Sequence, residues 1–180
     1  MIQWCGLFAK EASATRYAWH NGEGVYIGTS PKSTDQPMYA GDTSSCNVVS
    51  GNVIHTYGSE CVGVKENAHD NEFSGNDCAG NQEPTSFSGS GVELRGYDNV
   101  VRGNRVHDSA GYGLKLAADS AAYHQGGNTI AGNTFAANAG ADISNKQAGT
   151  QGAVCGNVAG VTGGLLSLVG TAIGILGSSC

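Results

Sequence analysis

A six-residue pattern, Asn-x-(apolar)-x-Gly-Asn, returns along the chain and constrains its fold more than any other feature. It reads Asn47-Val-Val49-Ser-Gly51-Asn52, then Asn71-Glu-Phe73-Ser-Gly75-Asn76, Asn99-Val-Val101-Arg-Gly103-Asn104 and Asn128-Thr-Ile130-Ala-Gly132-Asn133. A fifth copy, Gly152-Ala-Val154-Cys-Gly156-Asn157, keeps all but the first Asn. Successive starts lie 24, 28, 29 and 24 residues apart. Repeats of this period are the mark of a solenoid, in which each unit buries its apolar face only by stacking on the next.

A second apolar alternation follows each of the first four motifs. It reads Cys61-Val-Gly-Val-Lys65, Gly91-Val-Glu-Leu-Arg95, Gly113-Leu-Lys-Leu-Ala117 and Gly140-Ala-Asp-Ile-Ser144, with an earlier copy at Gly24-Val-Tyr-Ile-Gly28. The second coil carries six extra residues around 84–89. Alternation of this kind describes short strands with one buried face. Gly is abundant at 29 residues, which suits tight turns and disfavours helices, where each interior Gly costs roughly 1 kcal/mol relative to Ala. The expected fold is all-β: a right-handed parallel β-helix of about five coils at 21–160. Residues 1–20 form an N-terminal cap or the remnant of a preceding coil. The apolar, Gly-rich tail at 161–180 caps the last coil or carries a cleaved anchor signal.

Register then predicts the core. Val49, Phe73, Val101, Ile130 and Val154 should form one internal column, and Ile54, Cys78, Val106 and Phe135 another. The repeated Asn side chains should stack at the turns, with Asn itself taking the left-handed backbone those turns need.

Charge and cysteines limit the function. Only 13% of residues are charged and the net charge is −6. With no basic run, nucleic-acid binding is not expected. No stretch reads as a membrane span or as a secretory leader. The six cysteines, at 5, 46, 61, 78, 155 and 180, lack the paired spacing of a zinc site. They read either as disulfides of an oxidising compartment or as buried thiols. The chain is expected to be a monomer, outside the cell or at its surface.

Stacking places matching residues about 4.8 Å apart. Lys65 falls over Arg95, both outward. Tyr26, Glu93 and Lys115 share the outward column that contains Gly63, and Glu60 falls beside Glu23. His55 and His107 share a position two coils apart, which favours a solvated or turn-bonded role. Two stacked cations repel, which favours a neutral lysine able to act as a general base; the alternative is a hydrated ladder of charges. An acidic pair at Glu23 and Glu60 suits a bridging Ca²⁺.

The repeat resembles the pectin-lyase-like superfamily of right-handed parallel β-helices. Within it, Glu60-Cys-Val-Gly-Val-Lys65 followed by Gly91-Val-Glu-Leu-Arg95-Gly96 resembles the chondroitinase B and alginate lyase group. Gly96 stands where that group has His, and Gly58 where it has a second acidic ligand. The resemblance implies a polysaccharide lyase acting on an anionic, uronic-acid-containing polysaccharide by β-elimination. Lys65 would be the catalytic base, Arg95 the acid or charge stabiliser, and Glu60 a Ca²⁺ ligand with Glu23 beside it. Tyr26, Glu93 and Lys115 would bind substrate on the same outer face. The competing expectation is a non-catalytic carbohydrate-binding or surface-adhesion solenoid.

Overall fold

The computed structural model describes residues 2–5, 22–30, 42–119, 121–160, 167–170, 176–177 and 180. Most of 1–20, the middle of the 30–45 loop and most of the tail lie outside the described residues, so their expected capping and anchor roles do too.

Three parallel sheets of six strands each wind into one solenoid. The first holds β1 (Ile2–Cys5), β4 (Val53–Thr56), β7 (Asp77–Ala79), β10 (Arg105–His107), β13 (Thr134–Ala136) and β16 (Val158–Ala159). The second holds β2 (Val25–Ile27), β5 (Val62–Val64), β8 (Ser90–Leu94), β11 (Tyr112–Leu116), β14 (Ile143–Asn145) and β17 (Leu168–Gly170). The third holds β3 (Val48–Ser50), β6 (Glu72–Ser74), β9 (Val100–Arg102), β12 (Thr129–Ala131), β15 (Val154–Cys155) and β18 (Leu176–Gly177). Strands on both sides of 21–160 therefore join the sheets. Among the described residues no helix is long and apolar enough to cross a membrane.

The strands are short because each contributes a single inward side chain or two before the chain turns. Val49, Phe73, Val101, Ile130 and Val154 pair in register across the third sheet. Ile54, Cys78, Val106 and Phe135 do the same across the first. Apart from the partly buried Val49, every member of both columns is buried. The second sheet supplies Val62, Val92, Leu114 and Ile143, all buried. Its fifth strand, β14, starts at Ile143, later than the alternation at 140–144 implied. Gly140 is held in a turn by its N–H donating to the Gly111 carbonyl, and Ile143 is the residue that meets Leu114.

Two Asn columns tie coil to coil. Asn52 donates through Nδ2 to Asn76 Oδ1 (3.2 Å), Asn76 to Asn104 (2.9 Å), Asn104 to Asn133 (3.0 Å) and Asn133 to Asn157 (2.9 Å). The other column runs from Asn47 through Asn71 and Asn99 to Asn128. Where the fifth motif lacks its Asn, Gln151 takes the place, its Oε1 accepting from Asn128 at 3.1 Å. The left-handed residue is not the Asn but the one before it. Gly51, Gly75, Gly103, Gly132 and Gly156 have φ between 62° and 66°, and Asp70 and Asp98 have φ of 52°. That turn frees the Asn to keep an ordinary backbone and aim its amide along the stack.

Two disulfides, Cys61–Cys78 and Cys155–Cys180, are formed, and Cys46 is free and exposed.

Phe73→Ala should lower unfolding free energy by about 3–5 kcal/mol, the cost of emptying a fully packed site. Asn104→Ala should cost about 1–3 kcal/mol for the buried partners it strands, and Asn47→Ala, at the exposed end of its column, clearly less. Chemical denaturation midpoints of the three variants check this order.

Candidate functional site

The outward face of the second sheet carries a cluster of largely buried charge, where the other two sheets carry the exposed pairs Glu72–Arg102 and Asp77–Arg105. Lys65 follows β5, Glu93 lies in β8, Arg95 follows it, and Lys115 lies in β11. Register puts Tyr26, Gly63, Glu93 and Lys115 in one column, as their spacing implied. Gly63 leaves a gap in that column, and a β-carbon there would meet the Lys65 side chain. Lys65 thus lies across it, with Nζ 4.6 Å from the Tyr26 ring centre.

Above this column lies a cavity of about 410 Å³. Glu23, Glu60, Lys65, Glu93, Arg95 and Lys115 all line it, so the fold gathers the residues picked out from register. Tyr26 stands beside it, exposed. Part of the wall, Phe87 and Ser88, comes from the insertion of the second coil. Pro84 leads into a single 3-10 turn at Thr85–Phe87, and left-handed Ser88 (φ 65°) closes it. Lys115 Nζ donates to the Ser88 carbonyl, and Lys146 Nζ donates to Ser88 Oγ at 3.2 Å.

Glu93 organises the cationic side. Its carboxylate meets Lys115 Nζ at 2.6 Å, Arg95 Nε at 2.9 Å and Lys65 Nζ at 3.3 Å, and it is 1% exposed. Burial alone would raise its pKa, but Lys115, Lys65 and Arg95 together hold it well below the usual carboxylate range. Glu93, expected to bind substrate, lines the cavity with its carboxylate paired to all three cations.

Two further expectations change for the same reason. Lys65 does not face Arg95 as one cation above another, because Glu93 lies between their heads. Burial pulls the Lys65 pKa down, but Glu93 and Glu60 outweigh it, and the net shift is upward. Lys65 is therefore an ammonium, not the neutral base that stacking alone suggested, and it is buried rather than exposed. Arg95 has its fork filled from within the chain. It pairs with Glu93, with Asp119 Oδ2 at 2.9 Å and, at 3.8 Å, with Glu66 Oε1. Glu93 and Asp119 raise its pKa despite burial.

The acidic side of the cavity is Glu60, Ser59 and Glu83. The Gln82 N–H donates to the Gly58 carbonyl, which continues the coil stack and brings Glu83 beside Ser59. Gly89 packs directly on the Glu83 backbone, where a β-carbon would collide with it. Ser59 Oγ lies 2.5 Å from Glu60 Oε2 and 3.4 Å from Glu83 Oε2. Burial raises the Glu60 pKa, with Glu93 adding to it. Burial and the Glu60 charge push Glu83 up to about 7. Glu83 was missed in the sequence; it precedes the insertion at 84–89, and its offset of 24 residues from Ser59, the same as that between Asn52 and Asn76, was the available signal.

A resident Ca²⁺ at Glu23 and Glu60 does not fit these neighbours. Calcium takes about 6–8 oxygen ligands. Glu60 instead accepts from Ser59 and sits near the Lys65 and Lys115 ammoniums, and among the described residues no three acidic, His or Cys side chains converge on one point. The histidine pair also resolves. His55 and His107 do align through Ala79, and His107 is turned to Asp77 and Asp108, both at 2.6 Å, away from the cavity.

A family model described as a right handed beta helix region matches residues 2–158. No curated protein and no solved structure matches the chain.

Glu93→Gln removes the charge shared by three buried cations and should cost about 3–5 kcal/mol, as breaking a buried ion pair from one side does. Glu83 acts in the opposite sense. Its raised pKa contributes stability that is full below about 4.5 and is lost as pH rises through about 7. Unfolding free energies of Glu83→Gln and the parent, measured between those limits, should therefore shift in favour of the variant as pH rises, and run parallel above.

Proposed function

This chain belongs to the right-handed β-helix family, and we propose that it acts on a uronic-acid-containing polysaccharide, cleaving it by β-elimination in the cavity of the second sheet. The observation that carries this reading is the meeting, in one cavity, of cationic heads with two buried carboxyls, Glu60 and Glu83, whose burial favours the protonated form. β-Elimination needs both. A positive group must stabilise the charge that develops on the uronate carboxylate when the adjacent C5 proton leaves. A second group must move a proton at neutral pH. The local resemblance at Glu60, Lys65 and Arg95 supports the same substrate class.

The roles differ from those the resemblance implies. Lys65, kept charged by Glu93, holds the uronate carboxylate and gives a proton to the leaving oxygen. Lys115 adds to the positive field. Arg95, anchored on Glu93 and Asp119, is a positioning residue that fixes Glu93 and, through it, Lys65. Tyr26 offers an exposed ring beside Lys65 for a neighbouring sugar face. The two disulfides favour an oxidising compartment, and so a place outside the cell.

A non-catalytic glycan-binding solenoid is the second reading. It is favoured by the internal pairing of Lys65, Arg95 and Lys115 with Glu93, which lowers the charge left for a ligand.

Incubation with alginate, pectate, glucuronan and chondroitin, followed by ultraviolet absorbance of the unsaturated uronic acid, separates the two. The elimination reading expects new absorbance with one of them, and a fall of roughly 10² to 10⁴-fold in Lys65→Ala. Because no metal step is involved, EDTA should leave the rate unchanged; a loss of rate restored by Ca²⁺ would return Glu23 and Glu60 to the ligand role. Binding without absorbance, weakened in Lys65→Ala, supports the binding module.

A further inference from the structure

If Lys65 is an ammonium, the elimination lacks the base that would take the C5 proton. We infer that Glu60 and Glu83, bridged by Ser59 Oγ, hold one proton between them, and that Glu83 in its ionised state is that base. The inference rests on the elimination reading for its chemistry, but the shared proton stands on geometry alone.

A serine hydroxyl has one hydrogen and can donate it to one acceptor. Ser59 Oγ lies within 2.5 Å of Glu60 Oε2 and 3.4 Å of Glu83 Oε2. With the hydrogen directed at Glu60, the contact to Glu83 brings two oxygen lone pairs together unless Glu83 carries a proton to donate. With Glu60 protonated instead, Ser59 accepts from it and turns its own hydrogen to Glu83. Either way the unit is satisfied with one added proton, and two bare carboxylates at this separation repel. Both are nearly closed off from water, Glu60 at 4% and Glu83 at 3% exposed. Among the groups around them are Glu93 from β8, Lys115 from β11 and Lys65 after β5, and Glu23 lines the same cavity beside Glu60. The two lysines keep the pair from staying fully protonated at neutral pH, while Glu93 and burial keep it from ionising fully in acid. The balance places Glu83 at about 7.

Glu83 is also the member placed to act. It lines the same cavity as Lys65, Arg95 and Lys115, so a uronate held by Lys65 shares that cavity with the Glu83 carboxylate. In the step, the C5–H bond breaks and the proton passes to the Glu83 carboxylate. The electron pair forms the C4–C5 double bond, the C4–O bond breaks, and the leaving oxygen takes a proton from the Lys65 ammonium. Proton return from Glu83 to Lys65 through solvent resets the site. Ser59 is a positioning residue that hands the pair's proton from one carboxyl to the other.

Glutamate carboxyl titration by NMR on ¹³C-labelled protein tests the shared proton without substrate. One carboxyl should titrate at about pH 7. Glu83→Gln should remove it, and Ser59→Ala, which takes away a hydrogen bond to the ionised form, should move it upward. If every glutamate titrates below about 5, near the ordinary value for a carboxyl, the inference is overturned. The activity arm uses the pH-rate profile. The parent rate should rise through pH 7, and Glu83→Gln should lose roughly 10² to 10⁴-fold in kcat with little change in KM. Wild-type turnover in Glu83→Gln removes it as the base. A parent that makes no unsaturated product from any of these glycans overturns the elimination reading and the base role with it, while the titration still decides the shared proton.

Discussion

Every coil is held at a fixed height above the next by two columns of Asn amides at its corners. Each amide Oδ1 accepts from the backbone N–H and the Nδ2 of the Asn one coil earlier, as Asn104 does from Asn76. Each Nδ2 also caps a carbonyl of that earlier coil, as Asn104 does at Phe73. Buried polar groups that satisfy one another in this way tolerate no slip, because a one-residue shift would strand several of them at once. Register is thereby common to all three sheets, and the apolar columns follow from it.

The same register decides the site. An outward residue on one coil must lie beside the residue at the same offset on the next, so charges separated by about thirty residues in the chain become neighbours. Lys65, Glu93 and Lys115 meet because their strands are stacked, and the only conformational freedom left to them is in their side chains. Glu93 resolves the repulsion among three cations by sitting at their centre. Its burial would be costly for a lone carboxylate and is offset by three charged partners. The result is a cationic floor gathered around one buried carboxylate.

Beside that floor the constraint is reversed. The insertion at 84–89 departs from the repeat, folds through a 3-10 turn and is pinned through Ser88 by Lys115 and Lys146. Just before it, the Gln82–Gly58 contact sets Glu83 beside Ser59 and Glu60, and burial raises both carboxyl pKa values. One face of the cavity therefore gathers cations and the other carboxyls whose protonated form burial favours, an arrangement that suits the proposed chemistry at a carbon next to a carboxylate.

The repeat alone determined the solenoid, both core columns, the strand register and the gathering of Glu23, Glu60, Lys65, Glu93, Arg95 and Lys115 on one face, because stacking converts sequence offset directly into distance. Chain order also carried the Asn columns, though not that the residue before each Asn takes the left-handed turn. What tertiary structure decided was the state of each group. Offset places Lys65 over Arg95 but says nothing of Glu93 reaching between their heads, so the sign of the Lys65 shift was not legible. Glu83 keeps the 24-residue offset from Ser59, so the repeat does place it there, but not its protonation. Its pKa depends on burial, to which the loop at 84–89, outside the repeat, contributes through Gly89 packed on the Glu83 backbone. Electrostatics responds to distances of a few ångströms in three dimensions, and a pattern in one dimension supplies them only where the chain keeps its period.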